Sequence, residues 1–91
     1  MRSKNSKSLT ESERKHIELV KNCPCSVCGV SGPSDAHHIK QGYHFVTVAL
    51  CKSCHQGSFM GWHGEKKAWH IAKMDELMAL NETLKNIAKM S

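Results

Sequence analysis

Two short stretches, Cys25-Ser26-Val27-Cys28-Gly29 and Cys51-Lys52-Ser53-Cys54-His55, decide the reading of this chain. Each is a Cys-x-x-Cys turn, and 22 residues separate Cys28 from Cys51. Two residues between cysteines let both sulfurs of a turn reach one tetrahedral ion at ~2.3 Å. Gly29 permits a backbone bend that frees amide N–H groups toward the sulfurs. A single Cys-x-x-Cys is equally a redox pair or two small buried hydrophobes. Two of them in one short chain point to structural zinc, held by Cys25, Cys28, Cys51 and Cys54. Cys23 is then the spare thiol, because Cys28 stands at the right spacing from Cys25.

The remainder of the composition explains why the fold needs such a staple. The chain has 91 residues, room for one domain. A chain this short buries only roughly 60–65% of its unfolded surface, so a purely apolar core is marginal. Apolar residues make up 40%, but the aromatics are few: Tyr43, Phe45, Phe59, Trp62 and Trp69. The longest apolar stretch falls far short of the ~20 residues a membrane span requires. Met1 to Lys7 shows no apolar segment of a secretory signal. The expectation is therefore a cytoplasmic protein with no membrane association, in a reducing compartment where paired cysteines hold metal rather than disulfides. Thirteen basic against eight acidic residues give a net charge of +5, which suits a polyanionic partner, most simply nucleic acid.

Along the chain, residues 1–9 read as a disordered basic tail and residues 10–91 as the single domain. Thr10-Glu11-Ser12-Glu13 is a capping box, which predicts a helix to about Lys21, ended by Asn22 and Pro24. Turn residues follow, then a short strand over Ala36 to Ile39. His44 to Leu50 is β-rich and reads as its hairpin partner. A short helix opens near Cys54 or His55, and Glu65 to Lys73 restarts a helix. Asp75 caps the last one, with Leu77, Leu80, Leu84 and Ile87 as its apolar stripe.

Zinc leaves the histidines unexplained. His37, His38, His44, His55 and His63 all fall between residues 37 and 63, whereas His16 and His70 read as scattered surface residues. Three neutral imidazoles can hold a second divalent ion and leave a coordination position open for substrate. A further imidazole titrates near neutral pH and can serve as general base. Neighbours on an ideal strand point to opposite faces, so His37 and His38 share a site only at a strand end or bulge.

Taken together, Ala36-His37-His38-Ile39, then Leu50-Cys51-Lys52-Ser53-Cys54-His55, then Gly61-Trp62-His63-Gly64, resemble the zinc-knuckle HNH nucleases, also called ββα-metal or His-Me finger nucleases. The pattern is similar in particular to phage and prophage members linked to recombination, which act with a recombinase filament in bacterial hosts. The resemblance spans roughly residues 10 to 88. It implies an α+β fold: a small zinc-stapled ββα-metal (treble-clef-like) domain with an N-terminal helix and C-terminal helices. It implies an endonuclease that hydrolyses DNA phosphodiester bonds. His37, His55 and His63 would bind the catalytic ion, Mg²⁺ or another divalent cation. His38 would activate water. The middle Asn of the motif is absent, and His44 is the nearest candidate to orient His38, with Thr47 second. His55 and His63 stand eight apart, wider than one helical turn, so Gly57 and Gly61 imply an inserted loop. Lys40, Lys52, Lys66 and Lys67 are the candidate phosphate contacts, and Trp62 is expected to pack that loop. The competing function is a non-catalytic zinc-knuckle adaptor for DNA or protein, or a degenerate HNH domain. Either accounts for cysteines and charge but not for the clustered histidines.

Overall fold

The computed structural model describes residues 9–90; the expected basic tail lies outside them except for Leu9. Four helices surround one two-stranded antiparallel sheet in a small α+β fold. In order these are α1 (Glu11–Lys21), β1 (Asp35–His38), β2 (Thr47–Leu50), α2 (Lys52–Gln56), α3 (Lys67–Ala72) and α4 (Glu76–Met90). No described helix is long and apolar enough to cross a membrane.

Local chemistry sets each boundary. At the start of α1, Thr10 accepts from the Glu13 N–H while the Glu13 carboxylate accepts from the Thr10 N–H, so both halves of the capping box form. The strand pair is shorter than its composition suggests. His44, Phe45 and Val46 belong to the connecting turn, where the Val46 N–H closes onto the Tyr43 carbonyl. Helix α2 starts earlier than expected because Cys51 acts as its N-cap, its Sγ accepting from the Cys54 N–H at 3.4 Å. Glu65 is excluded from α3 by Lys66, which sits in the left-handed region at φ 60°. Asp75 caps α4 as its position suggests, its carboxylate accepting from the Met78 N–H at 2.8 Å.

The core forms around β2, whose four residues are all buried. Val48 and Leu50 pack on one side with Cys25, Cys54, Trp69 and Ala79. Ala49 packs on the other with Val20 and Cys23, with Ile87 and Ala36 alongside. Two expectations are corrected here. The fully buried positions of α4 are Ala79 and Thr83; of the expected apolar stripe, Leu80 and Ile87 pack partly buried against the core, whereas Leu77 is 73% exposed and Leu84 42%. Small side chains let the helix approach β2 closely, and one hydroxyl then joins three segments. Thr83 Oγ1 donates to the Ala79 carbonyl at 2.9 Å and accepts from the Ala49 N–H at 3.1 Å and from Ser26 Oγ at 2.6 Å. His16 is not a free surface residue either. Its ring lies 5.1 Å from that of Phe45, and burial lowers its pKa, opposed by a hydrogen bond to the Phe45 backbone.

Thr83→Val keeps the volume and removes the hydroxyl, leaving the Ala49 N–H and the Ser26 hydroxyl without this partner. The expected cost is about 1–3 kcal/mol for each buried group left unpaired. A lowered denaturation midpoint at unchanged slope is the expected readout; a midpoint equal to wild type would show that the hydroxyl contributes nothing.

Candidate metal centres

Four cysteines close on one another. One sulfur each from Cys25, Cys28, Cys51 and Cys54 lies within 4.8 Å of the other three, and this set can hold a zinc ion. The Cys28 and Cys51 sulfurs are 3.7 Å apart. Two ligands at ~2.3 Å from a tetrahedral ion stand roughly 3.8 Å apart, so the spacing fits zinc. Each knuckle repeats one device, a backbone N–H three residues on donating to the first sulfur: Cys28 to Cys25 at 3.5 Å and Cys54 to Cys51 at 3.4 Å. Gly29, at φ 81°, supplies the left-handed turn that ends the first knuckle. Cys23 is buried outside the set, its thiol directed at the Leu19 carbonyl at 3.3 Å.

Four sulfurs this close cannot readily share negative charge. At Cys25 burial opposes ionisation, but the backbone N–H groups of Cys28, Cys51 and Val27 outweigh it and bring the thiol down to about 7. Burial and the neighbouring Cys25 charge push Cys54 strongly the other way. Burial, with Cys25 and Cys51 beside it, also raises Cys28. A divalent cation at the centre removes this conflict, since it stabilises every thiolate at once.

A second donor set is made of nitrogen. Ring nitrogens of His37, His55 and His63 lie within 4.8 Å of one another, one per residue. Three different segments bring them there. His37 is the third residue of β1, almost fully buried and opposite Val48. His55 follows Cys54 on α2, so this one short helix presents a sulfur to one centre and an imidazole to the other. His63 reaches the cluster because the glycine-rich loop folds back along α2. The Trp62 N–H donates to the Cys54 carbonyl at 2.9 Å and the His63 N–H to the His55 carbonyl at 3.1 Å. A Cβ on Gly61 would sit 2.6 Å from the Gly57 nitrogen, so the fold-back needs glycine there. Trp62 packs this loop, its ring 4.7 Å from that of Trp69, and the Trp69 Nε1–H donates to the Cys54 carbonyl at 2.8 Å.

His37 Nδ1 and His55 Nε2 face each other at 3.3 Å. Two nitrogens bound at ~2.0–2.1 Å to a tetrahedral ion stand roughly 3.3–3.4 Å apart, so the residues present fit a small divalent ion. An all-imidazole set suits zinc, nickel, cobalt or iron. It does not suit Mg²⁺, a hard cation that takes oxygen ligands, so the expectation of Mg²⁺ has no support in this donor set.

His38 lies one residue further along β1 and turns away from the cluster. Its Nε2 meets His44 Nδ1 at 3.0 Å, and its cross-strand partner is Thr47. Burial lowers the His38 pKa, with the charges of His44 and His37 adding to the effect. Thr47 is buried and donates to the His44 carbonyl at 3.4 Å, so it braces the turn that carries His44. Of the four lysines, Lys52 pairs with Asp35 at 3.1 Å. The other three lie over aromatic rings: Lys40 over Tyr43 at 5.0 Å, Lys66 over Trp62 at 4.0 Å and Lys67 over Phe59 at 5.8 Å.

Two carboxylates near the imidazoles were not among the residues singled out from the sequence. Glu76 Oε2 lies 2.7 Å from His37 Nε2, and Asp35 Oδ2 lies 3.1 Å from His55 Nδ1. Asp35 stands two residues before His37 on one strand, and a period of two places both on the same face; that signal was legible. Glu76 comes from the far helix and leaves no local signal. Compared with protein-family models, curated proteins and solved structures, the chain matches none. The resemblance to HNH nucleases therefore rests on the residue pattern of this chain alone.

Proposed function

We propose that this chain is a metal-dependent endonuclease that hydrolyses DNA phosphodiester bonds at the His37, His55 and His63 site. The observation that carries the reading is the convergence of three imidazoles at a place distinct from the four-sulfur set. Three protein ligands leave a coordination position open, as catalytic rather than structural sites do. An ion bound there would polarise the phosphate and stabilise charge on the leaving oxygen.

The protein's own groups supply the proton chemistry. With its proton on Nε2 and donated to His44 Nδ1, 3.0 Å away, His38 would keep its lone pair on Nδ1, free to take a proton from water. A lowered pKa keeps that nitrogen unprotonated at neutral pH. His44 acts through His38 and is a positioning residue, in the orienting place of the motif Asn. The net charge of +5 and the lysines Lys40, Lys66 and Lys67 favour a polyphosphate partner. A phage or prophage origin and action with a recombinase filament extend the same proposal.

The test is nicking of supercoiled plasmid by the zinc-loaded protein with added Mn²⁺, Co²⁺, Ni²⁺, Zn²⁺ or Mg²⁺, beside linear and single-stranded DNA, bare and recombinase-coated. Expected are cleavage that requires the added ion, loss in EDTA and two metals per chain by elemental analysis. Intact DNA under every condition, with one metal per chain, would replace the proposal by the zinc-knuckle adaptor.

A further inference from the structure

We infer that Asp35 and Glu76 are positioning residues of the histidine centre, each fixing the tautomer and aim of one imidazole so that two bare nitrogens face a single metal ion. This rests on the reading that the centre holds an ion. An ionised carboxylate only accepts hydrogen bonds, so the imidazole nitrogen that touches it must carry the proton. Glu76 Oε2, 2.7 Å from His37 Nε2, puts the His37 proton on Nε2. Asp35 Oδ2, 3.1 Å from His55 Nδ1, puts the His55 proton on Nδ1. A neutral ring has one N–H, so His37 Nδ1 and His55 Nε2 are left with lone pairs. Those are the two nitrogens that face each other at 3.3 Å. Two acceptors aimed at one another repel, and His37 is only 6% exposed, so water cannot readily relieve the pair. A cation between them turns repulsion into coordination. Carboxylate partners of this kind fix ring orientation and raise ligand basicity.

The two carboxylates come from different elements. Asp35 opens β1, and Glu76 opens α4 directly after its Asp75 cap. Helix α4 is itself pinned by Thr83 to Ser26 of the first cysteine knuckle, at 2.6 Å. Helix α4, and with it Glu76, is thus tied to the first cysteine knuckle as well as to β2. Among the described residues no carboxylate hydrogen bond is found at the exposed His63, which makes it the ligand held least firmly.

The experiment titrates Co²⁺ into the full chain already loaded with one zinc, following the visible absorption of cobalt. Glu76→Ala and Asp35→Ala are each expected to weaken Co²⁺ binding by about 10–100-fold, with zinc content and circular dichroism unchanged. Glu76→Gln keeps an acceptor oxygen for the His37 N–H and is expected to recover part of the loss. Wild-type affinity in both alanine variants would overturn the inference while leaving the nuclease reading intact. A wild-type chain that takes up no cobalt would overturn both, and would assign the contact between the two rings to a shared proton. Cobalt binding weakened as expected in a protein that leaves DNA intact would support the positioning and reject only hydrolysis.

Discussion

Cys54→Ser is expected to yield a chain that neither folds cooperatively nor retains zinc. The apolar core is too small to compensate: Trp69, Leu50, Val20 and Val48 are the largest fully buried apolar side chains. Structural zinc contributes an apparent ~10–16 kcal/mol in small domains. Whole domains are stable by only about 5–15 kcal/mol. Cys54 is also the hub of its surroundings. Its sulfur belongs to the tetrad, and its carbonyl accepts from both the Trp69 indole and the Trp62 N–H. Loss of the ion would therefore loosen the loop that carries His63. A thermal melt by circular dichroism, with zinc quantified in the same samples, checks this. Cys23→Ser is the control, because Cys23 stands outside the tetrad and its replacement should leave zinc content at wild type. A zinc-free Cys54→Ser protein with a cooperative melt would refute the assignment of zinc as the staple.

Under the proposed reaction, His38→Ala is expected to slow DNA cleavage by about 10²–10⁴-fold, the usual contribution of a general base. Both metals should remain bound, since His38 belongs to neither donor set. Binding of uncleaved DNA should also persist. His55→Ala is the contrasting variant: it removes a nitrogen donor and the partner of Asp35, so the second ion should be lost together with cleavage. Single-turnover cleavage with metal analysis separates the two outcomes. Cleavage by His38→Ala at the wild-type rate would move the proton-accepting role to another residue.

Much of this architecture was legible in one dimension, where the physics is local. The capping box at Thr10 and the aspartate cap at Asp75 mark helix starts because a side-chain oxygen must serve N–H groups two or three residues on. Both Cys-x-x-Cys turns are readable for the same reason, the chelating reach of two sulfurs across two residues. Less legible were boundaries set by distant partners or unusual backbone. Lys66 in the left-handed region shortens α3 without any glycine to announce it. The apolar stripe of α4 divides: Leu80 and Ile87 pack against the core, Leu77 and Leu84 stay exposed, and the fully buried positions are Ala79 and Thr83, because contact with β2 rewards closeness and a shared hydroxyl over bulk.

The histidines divide along the same line. By itself the sequence determined that imidazoles are concentrated between residues 37 and 63, and that neighbours on a strand should part company. Which imidazoles meet was decided only by the tertiary structure. The fold-back of the glycine loop brings His63 beside His55, and the turn after β1 pairs His38 with His44. Glu76 reaches His37 across 39 positions of chain because α4 docks on the sheet. Donor type is written residue by residue. Donor geometry belongs to the packing of segments, since an ion reads only the distances and directions of the atoms around it.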